Sequence, residues 1–228
     1  MIVALNNKCN LNYSEWIEYV EKLGSLQTKS TMILCPSFIN LRMIPENVKI
    51  GAQNVSCFGK GAYTGEVSAE QLKSYGVEYT IVGHSERRGY QKETDEEVYE
   101  KVNHLSEEGI TPILCVGETL EERQNNQVEE VLLRELSLFQ EEQKEKMIIA
   151  YEPIWSIGTG VIPTNEEIEA VFKYIKNLFP NTPVLYGGSA NEENIDQLKQ
   201  ISLIDGYLLG GLSLKPDKLD IFLKKCDE

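Results

Sequence analysis

Short runs of consecutive apolar residues, separated by longer stretches with helical periodicity, constrain this chain more than any other feature. The runs are Ile2–Leu5, Thr31–Cys35, Val48–Ala52, Tyr79–Val82, Thr111–Val116, Met147–Tyr151, Val184–Tyr186 and Gly206–Leu209. A strand with one face in water alternates apolar and polar residues. A strand buried on both faces does not, and parallel strands covered by helices are of that kind. The intervening stretches carry helix starts. Ser68-Ala69-Glu70-Gln71, Thr94-Asp95-Glu96-Glu97 and Thr164-Asn165-Glu166-Glu167 each fit a capping box, in which the hydroxyl and the acid or amide satisfy backbone donors reciprocally. Between Glu166 and Phe179, Ile168, Val171, Phe172, Ile175 and Phe179 fall on one helical face. Gly24, Gly76 and Gly109 are placed as helix-ending glycines, and a second helix is expected around Asn40–Met43. Eight strand–helix units predict a parallel α/β sheet. A closed barrel and an open doubly wound sheet share this alternation, so pattern alone leaves both open.

With 228 residues, 41% of them hydrophobic, the chain is long enough for one domain over residues 1–228 with a full core. No stretch approaches the roughly 18 apolar residues of a membrane helix. The opening Met1-Ile2-Val3-Ala4-Leu5-Asn6 reads as a first strand rather than an export signal. The formal net charge is −14. No basic patch suggests nucleic acid, and a protein so acidic repels anions in bulk. Any anion site must then be local, built from backbone amides and one or two cations. Cys9, Cys35, Cys57, Cys115 and Cys226 are odd in number and lack a CxxC pair, which points to reduced thiols in a cytoplasmic protein rather than a disulfide framework.

Polar residues gather where the strands end. They are Asn6-Asn7-Lys8 after the first, Gly83-His84-Ser85-Glu86-Arg87-Arg88 after the fourth, Glu152-Pro153-Ile154-Trp155 after the sixth, Gly187-Gly188-Ser189 after the seventh and Gly210-Gly211 after the eighth. A cation, an imidazole, a carboxylate and glycine pairs are the parts needed to move a proton beside a phosphate. Each alone has a plainer reading: a loop histidine, a helix-capping glutamate, a glycine turn, a surface lysine. The two histidines, His84 and His104, lie in no ligand-spaced motif, so no metal or other cofactor is expected.

Taken in order, these segments resemble the triosephosphate isomerase family over nearly the whole chain. Asn6-Asn7-Lys8-Cys9-Asn10 resembles its N-W-K-M-N segment, and Gly51-Ala52-Gln53-Asn54 and Gly61-Ala62-Tyr63-Thr64-Gly65-Glu66 resemble its third-loop segments. Gly83–Arg88 matches G-H-S-E-R-R, Cys115-Val116-Gly117-Glu118 matches C-x-G-E, and Ala150–Gly160 matches A-Y-E-P-x-W-A-I-G-T-G with Ser156 for Ala. Tyr186–Ser189 and Asp205–Leu214 match the last two phosphate loops. Asn7 stands for the usual Trp and Cys9 for the usual Met. Short spacings before His84 and between Glu152 and Gly210 imply trimmed outer helices.

The resemblance implies a single-domain (β/α)8 TIM barrel that interconverts dihydroxyacetone phosphate and glyceraldehyde 3-phosphate. A sugar-phosphate-binding barrel without that catalysis, or with another substrate, is the alternative. By resemblance Glu152 is the general base, His84 a neutral proton donor and shuttle, Lys8 the electrostatic stabiliser and Asn6 the group that orients substrate. Glu86 pairs near Lys8 or the substrate, or else is a structural partner of a nearby arginine. Asn6 and Lys8, with backbone at Gly158, Ser189, Gly210 and Gly211, are expected to hold the substrate and its phosphate. Trp155, Ser156, Ile157, Gly158, Thr159 and Gly160 are expected in a lid whose hinges are Pro153–Trp155 and Val161–Pro163. The family also implies a homodimer with Cys9, Thr64 and Glu66 at the interface, Thr64 lying near the partner's Asn6 and the partner's Lys8.

Overall fold

A computed structural model describes residues 1–157 and 162–228. Eight parallel strands, β1 (Ile2–Asn6), β2 (Thr31–Cys35), β3 (Lys49–Ala52), β4 (Tyr79–Val82), β5 (Thr111–Val116), β6 (Ile148–Tyr151), β7 (Val184–Tyr186) and β8 (Gly206–Leu209), pair in sequence order. β8 then pairs with β1, Ile2 opposite Gly206 and Leu5 opposite Leu209. Closure decides what the sequence pattern left open: the sheet is a (β/α)8 barrel.

Around it run α1 (Tyr13–Gly24), α2 (Ala69–Ser74), α3 (Ser85–Tyr90), α4 (Asp95–Glu107), α5 (Leu120–Gln124), α6 (Val128–Leu136), α7 (Glu141–Lys144), α8 (Asn165–Leu178), α9 (Ile195–Leu198) and α10 (Pro216–Asp227). The capping boxes at Ser68, Thr94 and Thr164 form as expected, and Asn12 and Thr119 are among the others. Ile168, Val171, Phe172 and Ile175 of α8 are buried, and Phe179 is its C-cap. Among the outer helices α9 has four residues and α2 six.

Two expectations need correction. The helix expected around Asn40–Met43 is a single 3-10 turn, Phe38–Asn40. Met43 adopts φ 68°, which no right-handed helix accommodates, and Pro45 follows. Gly24 does not end its helix in the left-handed region, as Gly76 (φ 78°) and Gly109 (φ 63°) do. It is the last residue of α1, and Ser25 caps it.

The barrel has two apolar layers, and they decide where the site lies. Val3, Leu5, Leu34, Val82, Leu114, Ile149, Tyr151, Tyr186 and Leu209 face the helices. Ala4, Ile33, Cys35, Ile81, Ile113, Cys115, Ile148, Ala150, Leu185 and Leu208 form a second cluster that contains no helical residue, the filled interior. Successive strand residues face opposite ways. Two residues beyond Ala4, Ala150, Leu185 and Leu208 come Asn6, Glu152, Gly187 and Gly210, which continue the inward set at the C-terminal mouth.

Burying such strands on both sides leaves no room at the seam. A Cβ on Gly206 would overlap the Ile2 backbone, whereas one on Gly89 in α3 meets nothing within 4 Å. Gly206→Ala is expected to lower unfolding free energy by about 3 kcal/mol or more through overpacking. Gly89→Ala should raise it by about 0.5 kcal/mol by limiting the unfolded chain. Urea denaturation of both variants checks the opposite signs.

Candidate active site

The mouth of the barrel holds a cavity of about 370 Å³ lined by Asn6, Lys8, His84, Glu152, Ile157, Ser189, Gly210 and Gly211, among others. Glu152 reaches it by parity. Its backbone is clamped between neighbours: its N–H donates to Val116 O at 2.8 Å, and a Cβ on Gly117 would overlap its carbonyl. The residue is 2% exposed. Oε2 accepts from the Ser85 amide at 3.0 Å, and Oε1 lies 3.1 Å from His84 Nε2.

His84 would face outward by alternation. Gly83, at φ 69°, turns the chain so that the imidazole enters the cavity, a conformation that glycine takes without steric cost. His84 is then the N-cap of α3, its Nδ1 accepting from the Glu86 amide at 3.2 Å. A nitrogen that accepts carries no proton. The arrangement therefore assigns a neutral ring with its hydrogen on Nε2, aimed at Glu152.

Lys8 sits at φ 53°, a backbone conformation costing on the order of 1 kcal/mol outside glycine. Asn6 Oδ1 accepts from its amide at 3.0 Å, and Gln53 Nε2 donates to its carbonyl at 2.9 Å. The ammonium lies 2.6 Å from Glu86 Oε1. That distance answers the open question about Glu86: its partner is Lys8, while Arg87 pairs with Glu93 and Arg88 with Asp95. Asn7 is 1% exposed and turned towards α1 rather than into the cavity. Its Nδ2 donates to Tyr19 OH and Ser213 Oγ, each at 3.2 Å, and Ser213 Oγ lies 2.6 Å from Gly210 O. The first strand end is thus tied to the turn Gly211–Leu214.

Ser189, Gly210 and Gly211 also line the cavity, with Ser189 Oγ donating to Ser156 O at 2.7 Å. Trp155 and Ser156 lie in the turn Ile154–Ser156, and Ile157 follows it. Gly158, Thr159 and Gly160, expected in the phosphate site and lid, and Val161, expected in a hinge, lie outside the described residues. Cys9, Thr64 and Glu66 are exposed, outside this cavity.

Glu118, the last residue of the Cys115–Glu118 segment, carries no role legible in the sequence. The carboxylate is fully buried and accepts from Trp155 Nε1 at 2.9 Å, Arg123 Nε at 2.8 Å and Tyr151 OH at 3.1 Å. Arg123 also covers the Trp155 ring at 5.0 Å and bonds Glu167 at 3.1 Å. Beneath Glu152, burial first and then the charge of that carboxylate hold the Cys115 thiol well above its ordinary range, so it remains a protonated thiol.

A family model described as triosephosphate isomerase matches residues 1–227. The chain belongs to the triosephosphate isomerase family. It is similar to the triosephosphate isomerase of Clostridium tetani, 42% identical over 94% of this chain and 92% of that protein. That of Clostridium botulinum is 41% identical over 95% of each. That of Francisella tularensis subsp. mediasiatica is 36% identical over all of this chain and 97% of that protein. The family match spans all eight strands.

Removing the Glu118 carboxylate takes the shared acceptor from the buried Tyr151 hydroxyl and from the part-buried Arg123 and Trp155. Glu118→Ala is expected to cost about 3 kcal/mol or more and to change the fluorescence of Trp155. Urea unfolding followed at the tryptophan emission maximum measures both.

Proposed function

We propose that this enzyme interconverts dihydroxyacetone phosphate and D-glyceraldehyde 3-phosphate by proton transfer through a cis-enediolate, with Glu152 as the base. The observation that carries the reading is the meeting of Glu152 with His84 Nε2 at 3.1 Å in a cavity that Lys8 also lines. Relatives sharing about two-fifths of the sequence bear the name of this activity.

The chemistry follows from the groups present. The Glu152 carboxylate takes the proton from the carbon beside the carbonyl. The C–H electron pair becomes the enediolate double bond, and the carbonyl oxygen gains negative charge. His84 Nε2–H and Lys8 Nζ stabilise that charge, while Asn6 orients the oxygen. His84 shuttles a proton between the two oxygens, and Glu152 returns its proton to the adjacent carbon. Atoms and electrons balance without a redox partner. A neutral imidazole suits this role, because it donates to the oxygen and regains a proton from the neighbouring hydroxyl. The 3.1 Å contact between Glu152 and His84 must open for Nε2–H to reach substrate.

The phosphate is bound by backbone at Ser189, Gly210 and Gly211, by Gly158 in the same reading, and by Lys8. Glycine lets backbone amides approach an anion closely. Such a site holds a dianion inside a protein of net charge −14 because the field there is local. Trp155, Ser156 and Ile157, continuing through Thr159 and Gly160, begin the segment that covers bound substrate and excludes water.

The same reading gives a cytoplasmic homodimer with Cys9, Thr64 and Glu66 at the interface. Phe58 and Tyr63 support it. They stack at 4.4 Å between centroids yet stay about half exposed, an apolar surface of the sort buried between subunits.

In a coupled assay with glyceraldehyde 3-phosphate, Glu152→Gln is expected to lower kcat by about 10²–10⁴-fold with an unchanged circular dichroism spectrum. Equal rates in variant and wild type rule out Glu152 as the base. Sedimentation velocity is expected to give a dimer, and a fully active monomer contradicts the interface.

A further inference from the structure

Glu135, near the end of α6, is a buried carboxylate outside the substrate cavity, and the scheme above gives it no task. Its side chain is 2% exposed. Oε2 accepts from the Gly117 amide at 2.9 Å. Oε1 lies 3.7 Å from Arg88 Nε and 3.6 Å from Arg134 Nη2. Arg88 in turn donates from Nε to Gly83 O at 2.8 Å and pairs with Asp95 at 2.5 Å. Gly117 immediately precedes Glu118, the group that holds Trp155, and Gly83 immediately precedes His84.

We propose that Glu135 is a positioning residue for the reaction: its carboxylate joins the Glu118 loop, through the Gly117 amide, to the His84 loop, through Arg88 and Gly83 O. The inference rests on the isomerase reading above and adds to it a control point outside the cavity. An ionised carboxylate makes a stronger, charge-assisted bond to the Gly117 amide and balances Arg88 and Arg134 against Asp95. Once protonated, it accepts as a neutral group and leaves Arg88 to Asp95 alone.

The groups facing this carboxylate come from several elements. They are Arg88 on α3, Asp95 at the start of α4, Arg134 on its own helix and, 4.0 Å beyond Arg134, Glu122 on α5. Burial, opposed by Arg88 and the Gly117 amide, pushes Glu135 up from its ordinary value to about 7, so both forms coexist near neutral pH. The folded-state value lies above the unfolded one. Between the ordinary carboxyl range and about pH 7 the native protein therefore binds more protons than the unfolded chain, and stability falls as pH rises through that window. Ionisation tightens the link between the loops while lowering stability.

Glu135→Gln keeps the shape and an acceptor for the Gly117 amide but cannot ionise. The ratio of wild-type to variant kcat/KM is expected to rise about threefold or more between pH 5.5 and 8.5, while the wild-type Tm falls by about 5 °C relative to the variant over the same range. A flat activity ratio with a changing Tm difference overturns the positioning role and leaves only a buried structural acid. A flat Tm difference overturns the titration itself. Should Glu135→Gln fold poorly, carboxyl-carbon NMR of the wild type, read alongside its own pH–rate profile, keeps the test open: titration of Glu135 without a matching inflection in rate refutes the proposal. Wild-type enzyme with no isomerase activity at any pH refutes the functional reading itself, which is a separate outcome.

Discussion

A parallel sheet closed on itself obliges every strand to present alternate residues to one shared interior, and the rest of this molecule follows from that constraint. Ala4, Ala150, Leu185 and Leu208 fill the interior, and two positions further each strand delivers Asn6, Glu152, Gly187 or Gly210 to a common mouth. Residues separated by more than 200 positions in sequence thereby meet without dedicated scaffolding, as Asn6 O and Ser213 Oγ do at 3.1 Å. The interior layer also explains the chemistry's surroundings. Glu152 stands on Cys115 and between Gly117 and Gly187, where water is scarce and each hydrogen bond counts for more than it would at the surface.

Two departures from regular backbone, at Gly83 and Lys8, shape this mouth. Gly83 in the left-handed region reverses the alternation and brings His84 inward. Lys8 accepts the same region without being glycine, fastened by Asn6, Gln53 and Glu86. Backbone strain tends to persist where surrounding contacts over-determine it, and here they hold an ammonium in the cavity beside a neutral imidazole. Around that centre lies a second ring of polar groups. Glu118 gathers Trp155, Tyr151 and Arg123, while Glu135 gathers Gly117 and two arginines.

Much of this was legible in the sequence, and the boundary of legibility is physical. Consecutive apolar runs mark strands buried on both faces, so all eight were located to within a residue at their ends. The capping boxes at Ser68, Thr94 and Thr164 mark helix starts because donor and acceptor lie three residues apart. Asn40–Met43 failed because its helical composition is overridden by backbone geometry at Met43. Barrel closure could not be read from local pattern, since it depends on pairing Ile2 with Gly206. The choice between the partners expected for Glu86, and the partners of Glu118 and Glu135, were out of reach for the same reason. Lys8 is 78 positions from Glu86, and Trp155 is 37 from Glu118. Only the fold decides which of many charged residues meets which.

The central claim is that Glu152, His84 and Lys8 converge on one small phosphorylated ligand. A structure of the protein with a two-carbon phosphate monoester bearing a carboxylate, which imitates the planar enediolate, tests it most directly. The account predicts the phosphate against Ser189, Gly210 and Gly211, the carboxylate between His84 Nε2 and Lys8 Nζ, and Glu152 released from His84 to lie over the ligand's carbon. A ligand bound elsewhere, with the 3.1 Å contact between Glu152 and His84 undisturbed, would contradict it.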